Sequence, residues 1–562
     1  MGTSDDISTD DLSGPVVDRR TTMKLLSAAG MGGLAGCSSE VEPTETGTSG
    51  GATPTETDAP TTTEVQSNVQ TGGRLQAGWF TGSIDVLDPP KIPVAIYFQV
   101  TSNVFSGLVT LKRDLTIRGD LATDWEVTND GATMTFSLRE DVTFHNGDEF
   151  TAEDVAYSIT RTIEEELAAA PKLSLLLPPG EDGVVVEDDY TVTLNFEQAF
   201  APVLIYLTRG PGRAATVVNK NAIEEMGPEQ YQLTPVGTGP FKVTEHEVGD
   251  RITLDRFEDY FETDENGNQL PYLDGVDIRP IPEAATIVSA IEAGDIDFAQ
   301  EIPLQNVSRI EDAQNVDKLA APGVNWSGLS LNTSKEMFES RKVRRAIAKG
   351  LDSEAYVETA FFGNAVPDTC PLNKATGWAW RDDKPSDQDY APEEAKQMLE
   401  EEGAADLSFS ILAQQGSLRA SQTARNQLTE LGLNVEIEQV TSSTYWDRVF
   451  AADYETTIVG SAGDPEPDQS LYNFFRKYSE DGVWNFVRYV NDDVHQMLDE
   501  QRRQLDREER VQTLWEIEDQ LIADAPWAFL VHTDDVAAKR SNVNGFVHIP
   551  FMRNFHRVWL EE

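Results

Sequence analysis

The sequence predicts an α/β protein folded as more than one lobe, on three observations. The chain has 562 residues, more than a single hydrophobic core holds. Apolar residues make up 39% of it, enough to fold rather than stay disordered. From about Gly72 to the end, strand-period and helix-period segments alternate, with no internal repeat.

The individual elements follow from spacing. Met134, Phe136 and Leu138 alternate with polar residues, as a half-buried strand does. Val192, Leu194 and Phe196 repeat the pattern after the acidic turn at Asp188-Asp189, and Val435 with Ile437 marks another strand. Thr151, with Asp154 three residues on, starts a helix whose free amides the hydroxyl is placed to cap. Val155, Ile159, Ile163 and Leu167 then recur every fourth residue on one face. Val343, Ile347 and Leu351 form a similar stripe. Ala395, Met398 and Leu399 lie on a third helix, closed by Gly403. In Pro235-Val236-Gly237-Thr238-Gly239-Pro240-Phe241 the glycines are expected at positive φ, feeding a strand at Phe241. His145-Asn146-Gly147 reads as a hairpin-like turn, with His145 structural.

Charge narrows the partners. Acidic residues number 97 against 44 basic ones, a formal net charge of -53 spread over nearly every segment. Nucleic acid and anionic lipid would both be repelled. Self-repulsion of this size destabilises a compact chain in dilute buffer, and concentrated salt screens it, so the composition is that of a halophilic protein.

The first seventy residues read as address and tether. Arg19-Arg20 precede a short apolar stretch from Leu25 to Gly36, the layout of a twin-arginine export signal. Asp18 replaces the usual Ser or Thr before the pair, and Thr22 the usual Phe after it. Leu34-Ala35-Gly36-Cys37 resembles a lipobox, which makes 1–36 a signal peptide and Cys37 the lipid-bearing residue. Residues 37–71 are mostly Thr, Glu, Gly, Ser and Pro with few apolar residues, a solvated tether. Cys370 is then without an intramolecular partner and reads as a small buried residue.

Catalytic signatures are missing from the sequence. It holds no H-E-x-x-H or P-loop, its G-x-S-x-G match at Gly47 to Gly51 falls in the tether rather than between a strand and a helix, and its histidines (145, 246, 495, 532, 548 and 556) are scattered singly. No catalytic residue, metal site or cofactor is expected.

Several segments instead point one way in order. Gly119-Asp120-Leu121-Ala122-Thr123-Asp124-Trp125-Glu126 runs into Asp130 to Arg139, then Val142-Thr143-Phe144-His145-Asn146-Gly147 and Thr151 to Ser158. With Pro235 to Phe241, Ala293-Gly294-Asp295-Ile296-Asp297, Leu331-Asn332 before Val343 to Ile347, and Gly463-Asp464-Pro465, this set resembles the family 5 extracellular solute-binding proteins of ABC importers. These are the dipeptide, oligopeptide and nickel binders. The resemblance spans about Gly72 to Trp559.

The resemblance implies a periplasmic-binding-protein-like fold of type II, cluster C: two main lobes, a hinge and a third domain. Lobe I would take 72–103, 236–325 and 537–562, lobe II 104–235 and lobe III 326–536, with crossings near Val324–Leu331 and Val531–Ala538. It implies a monomer that captures a peptide or similar solute outside the cell and hands it to permease and ATPase subunits. The membrane would be touched through the lipid alone. Ligand-binding positions would be Trp79, Phe80, Arg419, Tyr445, Trp446, Ser461 and Asp464. Ser461 falls where peptide binders carry an acid, and Asp464 is either its substitute or a turn-former before Pro465. Packing in the core is the commoner role for the aromatic rings, and Arg419 and Arg425 either pair a ligand carboxylate or neutralise surface acids. A binder of nickel, haem or another non-peptide solute in the same family, a tethered secreted hydrolase and an acidic adhesin are the alternatives.

Overall fold

The computed structural model describes residues 69–561 apart from 93, 174–181, 464 and 478–483. The export signal, Cys37, most of the tether and Asp464 lie outside the described residues.

The alternating segments assemble into three main sheets. The seven-stranded sheet runs in the order Val316–Ala321, Asp535–Arg540, Phe298–Ala299, Arg74–Trp79, Gly275–Pro280, Arg251–Arg256, Phe241–Glu247. Arg74–Trp79 is parallel to both its neighbours, and the other pairs are antiparallel. The six-stranded sheet runs Ala365–Pro367, Trp527–Thr533, Trp326–Leu331, Thr456–Ser461, Ser408–Ala413, Asn434–Gln439. A four-stranded antiparallel sheet uses only Ala122–Thr128, Thr133–Leu138, Thr191–Asn195 and Val184–Asp188.

Helices and loops cover the six-stranded sheet on both faces. Leu329, Ile411, Ile458 and Leu530 are buried on one side with the helices Arg341–Lys349 and Leu418–Leu431. Trp326, Leu412, Val459 and Trp527 are buried on the other with Ser442–Ala451 and Arg507–Asp524. This double burial is the α/β layering expected of parallel pairs. The four-stranded sheet keeps the alternation read from sequence: Met134, Phe136 and Leu138 point into the core while Ser137 is exposed.

Helix ends depart from the periodic reading. The helix at Thr151 spans Ala152–Glu164, so Leu167 falls beyond it, though Val155 and Ile159 are fully buried. Asp154 reaches back to accept from the Thr151 amide at 2.9 Å, the carboxylate half of a capping box. The helix Arg341–Lys349 likewise stops before Leu351, which is buried all the same. Pro392–Glu401 ends near Gly403, whose φ is 67°.

The glycine-rich turn corrects one expectation. Gly237 and Gly239 do not sit at positive φ. A Cβ on Gly237 would lie 2.1 Å from the Val104 carbonyl oxygen, so close backbone approach is what requires glycine. His145 clamps this turn: its Nδ1 accepts from the Gly237 amide at 3.2 Å, and its Nε2 donates to the Gly239 carbonyl at 3.0 Å. That arrangement needs the neutral ring, and burial lowers its pKa to about 4. The unfolded imidazole binds its proton near pH 6.5, so the clamp's stability is complete above that pH and lost as pH falls toward 4. The loss should be on the order of 2 kcal/mol, allowing for partial exposure of the ring. Thermal melts of wild type and His145→Gln between pH 7 and 4 test it; the variant should lose less stability on acidification.

Candidate functional site

Two short connections join the seven-stranded and six-stranded sheets. One runs from Ala321 to Trp326 and the other from Thr533 to Asp535. Their sequences hold them together. The Asn325 side chain donates to the Thr533 carbonyl at 2.9 Å and accepts from the Thr533 amide at 2.8 Å, pairing with the backbone as a neighbouring strand would. His532 Nδ1 donates to the Asn325 carbonyl at 2.5 Å. A Cβ on Gly323 would sit 1.9 Å from the Thr533 carbonyl oxygen, so the two passes approach too closely for a side chain. Gly463, at φ 92°, brings the loop after Thr456–Ser461 onto Val324. Two adjacent passes of a few residues each are the anatomy of a hinge.

A polar floor lies on the seven-stranded side of this crossing. Gln300 follows the strand Phe298–Ala299, and its amide donates to Gln99 Oε1 at 2.7 Å. Its carbonyl accepts from Arg553 Nε at 3.1 Å and Nη2 at 2.9 Å. Arg553 also grips Asp535, Nη2 to Oδ1 at 2.6 Å and Nη1 to Oδ2 at 3.2 Å. The Arg553 carbonyl accepts from Asn103 Nδ2 at 2.7 Å. Beside the guanidinium, Asp535 is held well below the usual carboxylate range. Glu301, next to it, goes the other way: burial and the Asp535 charge push it up to about 7. Asp534 is raised by burial as well. The floor therefore holds two carboxyls, Glu301 and Asp534, that a neighbouring cation would favour in the ionised form, beside an Asp535 that Arg553 pairs.

The residues expected to bind ligand fall into separate groups. Phe80 stands on this floor, its amide 3.4 Å from Gln300 Oε1. Ser461 stands across the crossing, its hydroxyl sharing a hydrogen bond with Ser470 and accepting from the Gly463 amide. Trp79 is fully buried and donates its indole N–H to the Ile96 carbonyl at 3.0 Å. Tyr445 is fully buried, its hydroxyl bonded to Thr457 and Ile458, with Trp446 edge-on against it in an aromatic core. Arg419 is exposed and lies over the Phe362 ring, and Arg425 bonds Asn426 at the surface. Sequence reading missed Gln99, Gln300, Glu301, Asn325, Asp535 and Arg553. The polar pair Gln300-Glu301 inside the apolar run Ile296 to Ile302 was the available signal.

A second contact joins the bodies away from the hinge. The Ala201 amide donates to the Arg502 carbonyl at 2.7 Å, and Leu505 packs over Gly131 and Ala199. The Arg502 guanidinium grips Asp468 while lying over the Tyr472 and Phe200 rings. A groove of about 620 Å³ opens beside it, lined by Asp130, Gln496, Glu500, Arg503, Leu505 and others. It is open and charged, and none of the floor residues lines it.

Comparison with known proteins fits this arrangement. The family model described as bacterial extracellular solute-binding proteins, family 5, middle region, matches residues 116–482. The chain belongs to that family.

Among curated relatives, the glutathione-binding protein GsiB of Pectobacterium atrosepticum is 25% identical over 478 residues, covering 83% of this chain and 90% of that protein. The peptide-complexed DppA of Helicobacter pylori has a TM-score of 0.72 at 25% identity, covering 88% of this chain and 99% of that one. HbpA2 of Haemophilus parasuis shares the fold with a TM-score of 0.76 at 20% identity, over 87% of this chain and all of its own. Family 5 members work outside the cytoplasm, binding peptides or other small solutes and delivering them to ABC permeases. This solute-binding protein is thus a component of an importer.

Proposed function

We propose that this family member is the solute-capturing lipoprotein of an ABC importer on the outer face of a cell living in strong salt, and that its solutes are di- or oligopeptides. The observation carrying the reading is the paired crossing at Asn325 and Thr533 beside a polar floor, in a chain alike over most of its length to peptide- and glutathione-binding proteins. The solute sits between the two large sheets. Glu301 and Asp534 face its ammonium group from the floor, and Ser461 stands on the other side. Lobe I (72–103, 236–325, 537–562) and lobe III (326–536) close on each other about the crossing, with Asp535 and Val536 at the end of that last range lying in lobe I's sheet, and lobe II (104–235) meets lobe III through Leu505. No bond is made or broken. The solute shifts an open–closed balance by its greater affinity for the closed form. Cys37 carries the lipid after twin-arginine export, the acidic tether spaces the monomer from the membrane, and the permease and its ATPase read the closed state.

Calorimetry with a panel of two- to five-residue peptides and glutathione, in strong salt, tests the reading; silence across the panel overturns it. Cys37→Ser should release the protein into the medium, and unchanged membrane retention would refute the lipobox. If the second contact forms on closure, Leu505→Asp should weaken peptide affinity about tenfold, worth ~1.4 kcal/mol, with the fold intact. Equal affinity in the variant would make the contact permanent rather than gated.

A further inference from the structure

Behind the hinge, on the six-stranded side, lies a cluster the capture mechanism leaves unused. Antiparallel pairing sets His532 opposite Val366, and two residues further on Asp368 donates its amide to the Leu530 carbonyl. Cys370 follows on the same loop, buried beneath it. Among the described residues, Asp368, Cys370 and His532 bring one donor atom each within 4.8 Å of one another. Cys370 Sγ is 3.3 Å from Asp368 Oδ1, and His532 Nε2 is 3.7 Å from Asp368 Oδ2. The two contacts use different oxygens of Asp368, and each falls in the range of donor–donor separations around zinc, roughly 3.3–3.8 Å for bonds of about 2.0–2.3 Å, so a small turn of the carboxylate would bring the three donors onto one ion.

The histidine is set up for a metal. Its Nδ1 donates to the Asn325 carbonyl, which fixes the tautomer and leaves a lone pair on Nε2. Nε2 is buried, accepts no hydrogen bond, and faces Asp368. A ring nitrogen bonded to a backbone carbonyl, with its partner nitrogen turned to a thiol and a carboxylate, is the outer-shell arrangement of metal-bound histidine. The place where a cation belongs is at present filled by the chain itself. The Lys384 ammonium contacts Asp368 and lies 3.2 Å from Cys370 Sγ. Its nitrogen also rests 4.1 Å from the centre of the Trp380 ring, on a side chain that reaches the surface, so it can swing outward.

We propose that Asp368, Cys370 and His532 form a binding site for a thiophilic divalent cation, zinc being the fitting ion, in competition with the Lys384 ammonium. On binding, the Cys370 S–H bond breaks, sulfur bonds the ion, and the proton leaves to solvent; carboxylate and neutral imidazole complete three protein ligands, with water as the fourth. Because His532 also holds Asn325, the ion would stiffen one pass of the hinge.

The test uses the full chain carrying Cys37→Ser, so that Cys370 is the one remaining thiol, with Co²⁺ as an optical probe and Zn²⁺ as competitor. A thiolate-to-cobalt absorption with tetrahedral ligand-field bands should develop, vanish on adding zinc, and be lost in Cys370→Ser. Lys384→Gln removes the competitor and should tighten binding at least about tenfold. Calorimetry in two buffers of different ionisation heat should report one proton released per ion. Two results would overturn the site: no band in either the parent or Lys384→Gln, or a band that persists in a folded Cys370→Ser chain. If Cys370→Ser does not fold, the Lys384→Gln affinity decides alone, since unchanged affinity places the metal elsewhere.

Discussion

Asp535→Ala is expected to cost about 3–5 kcal/mol of folding stability, the largest effect of any single substitution at the crossing. Arg553 is 1% exposed, and both of its terminal nitrogens spend a hydrogen bond on Asp535. Removing that carboxylate leaves a buried guanidinium hydrogen-bonded to backbone carbonyls alone, with Glu301 the neighbouring acid. Those carbonyls belong to Gln300 and Met552, so the floor loosens where Phe80 and Gln99 depend on it. Asp535→Asn retains an acceptor and should cost less, about 1–2 kcal/mol. The acid held far below its usual pKa gives its stability above the unfolded carboxylate pKa and loses it only as pH falls through the folded one. Neutral-pH melts at constant high salt therefore isolate the pair; a variant melting with wild type would mean that water replaces the carboxylate.

The second large effect is expected from salt. A net charge of -53 leaves most exposed faces acidic, including Glu393, Glu394 and Glu400 on one helix. Lowering salt from about 1 M to about 10 mM lengthens the Debye distance from about 3 Å to about 30 Å, so charges that ignored one another begin to repel across a whole lobe. Ion pairs such as Arg448 with Glu438 and Lys539 with Asp317 offset little of this, since exposed pairs contribute about 0–1 kcal/mol each. Circular dichroism should record a melting temperature that rises steadily with KCl and loss of structure in dilute buffer. A flat dependence would reduce the acidity to a solubility feature.

How far the sequence could be read depended on the range of the signal. The strand Thr133–Leu138 and the helix Arg341–Lys349 were legible because alternation and fourfold spacing are local consequences of burying one face. Their ends were not. Leu167 and Leu351 keep the helical spacing after the backbone has turned away, because tertiary packing rewards an apolar residue there in either conformation. Among site residues, Trp79, Tyr445 and Trp446 carried no discriminating signal, since a core and a cleft ask for the same rings. The floor was illegible for a different reason. Gln300 meets Gln99 across 201 positions and Arg553 across 253, and no periodicity links residues so far apart. Asn325 offered nothing beyond a polar residue after Gly323, although its amide ties one pass of the crossing to the other.

The proposed function requires two bodies to close on a solute about the Asn325–Thr533 crossing. Small-angle scattering in strong salt, with and without a peptide whose binding calorimetry has established, measures that closure directly. A smaller radius of gyration is expected when the peptide is bound, and the same small radius in every saturated sample. Saturated and empty protein with the same radius would contradict it.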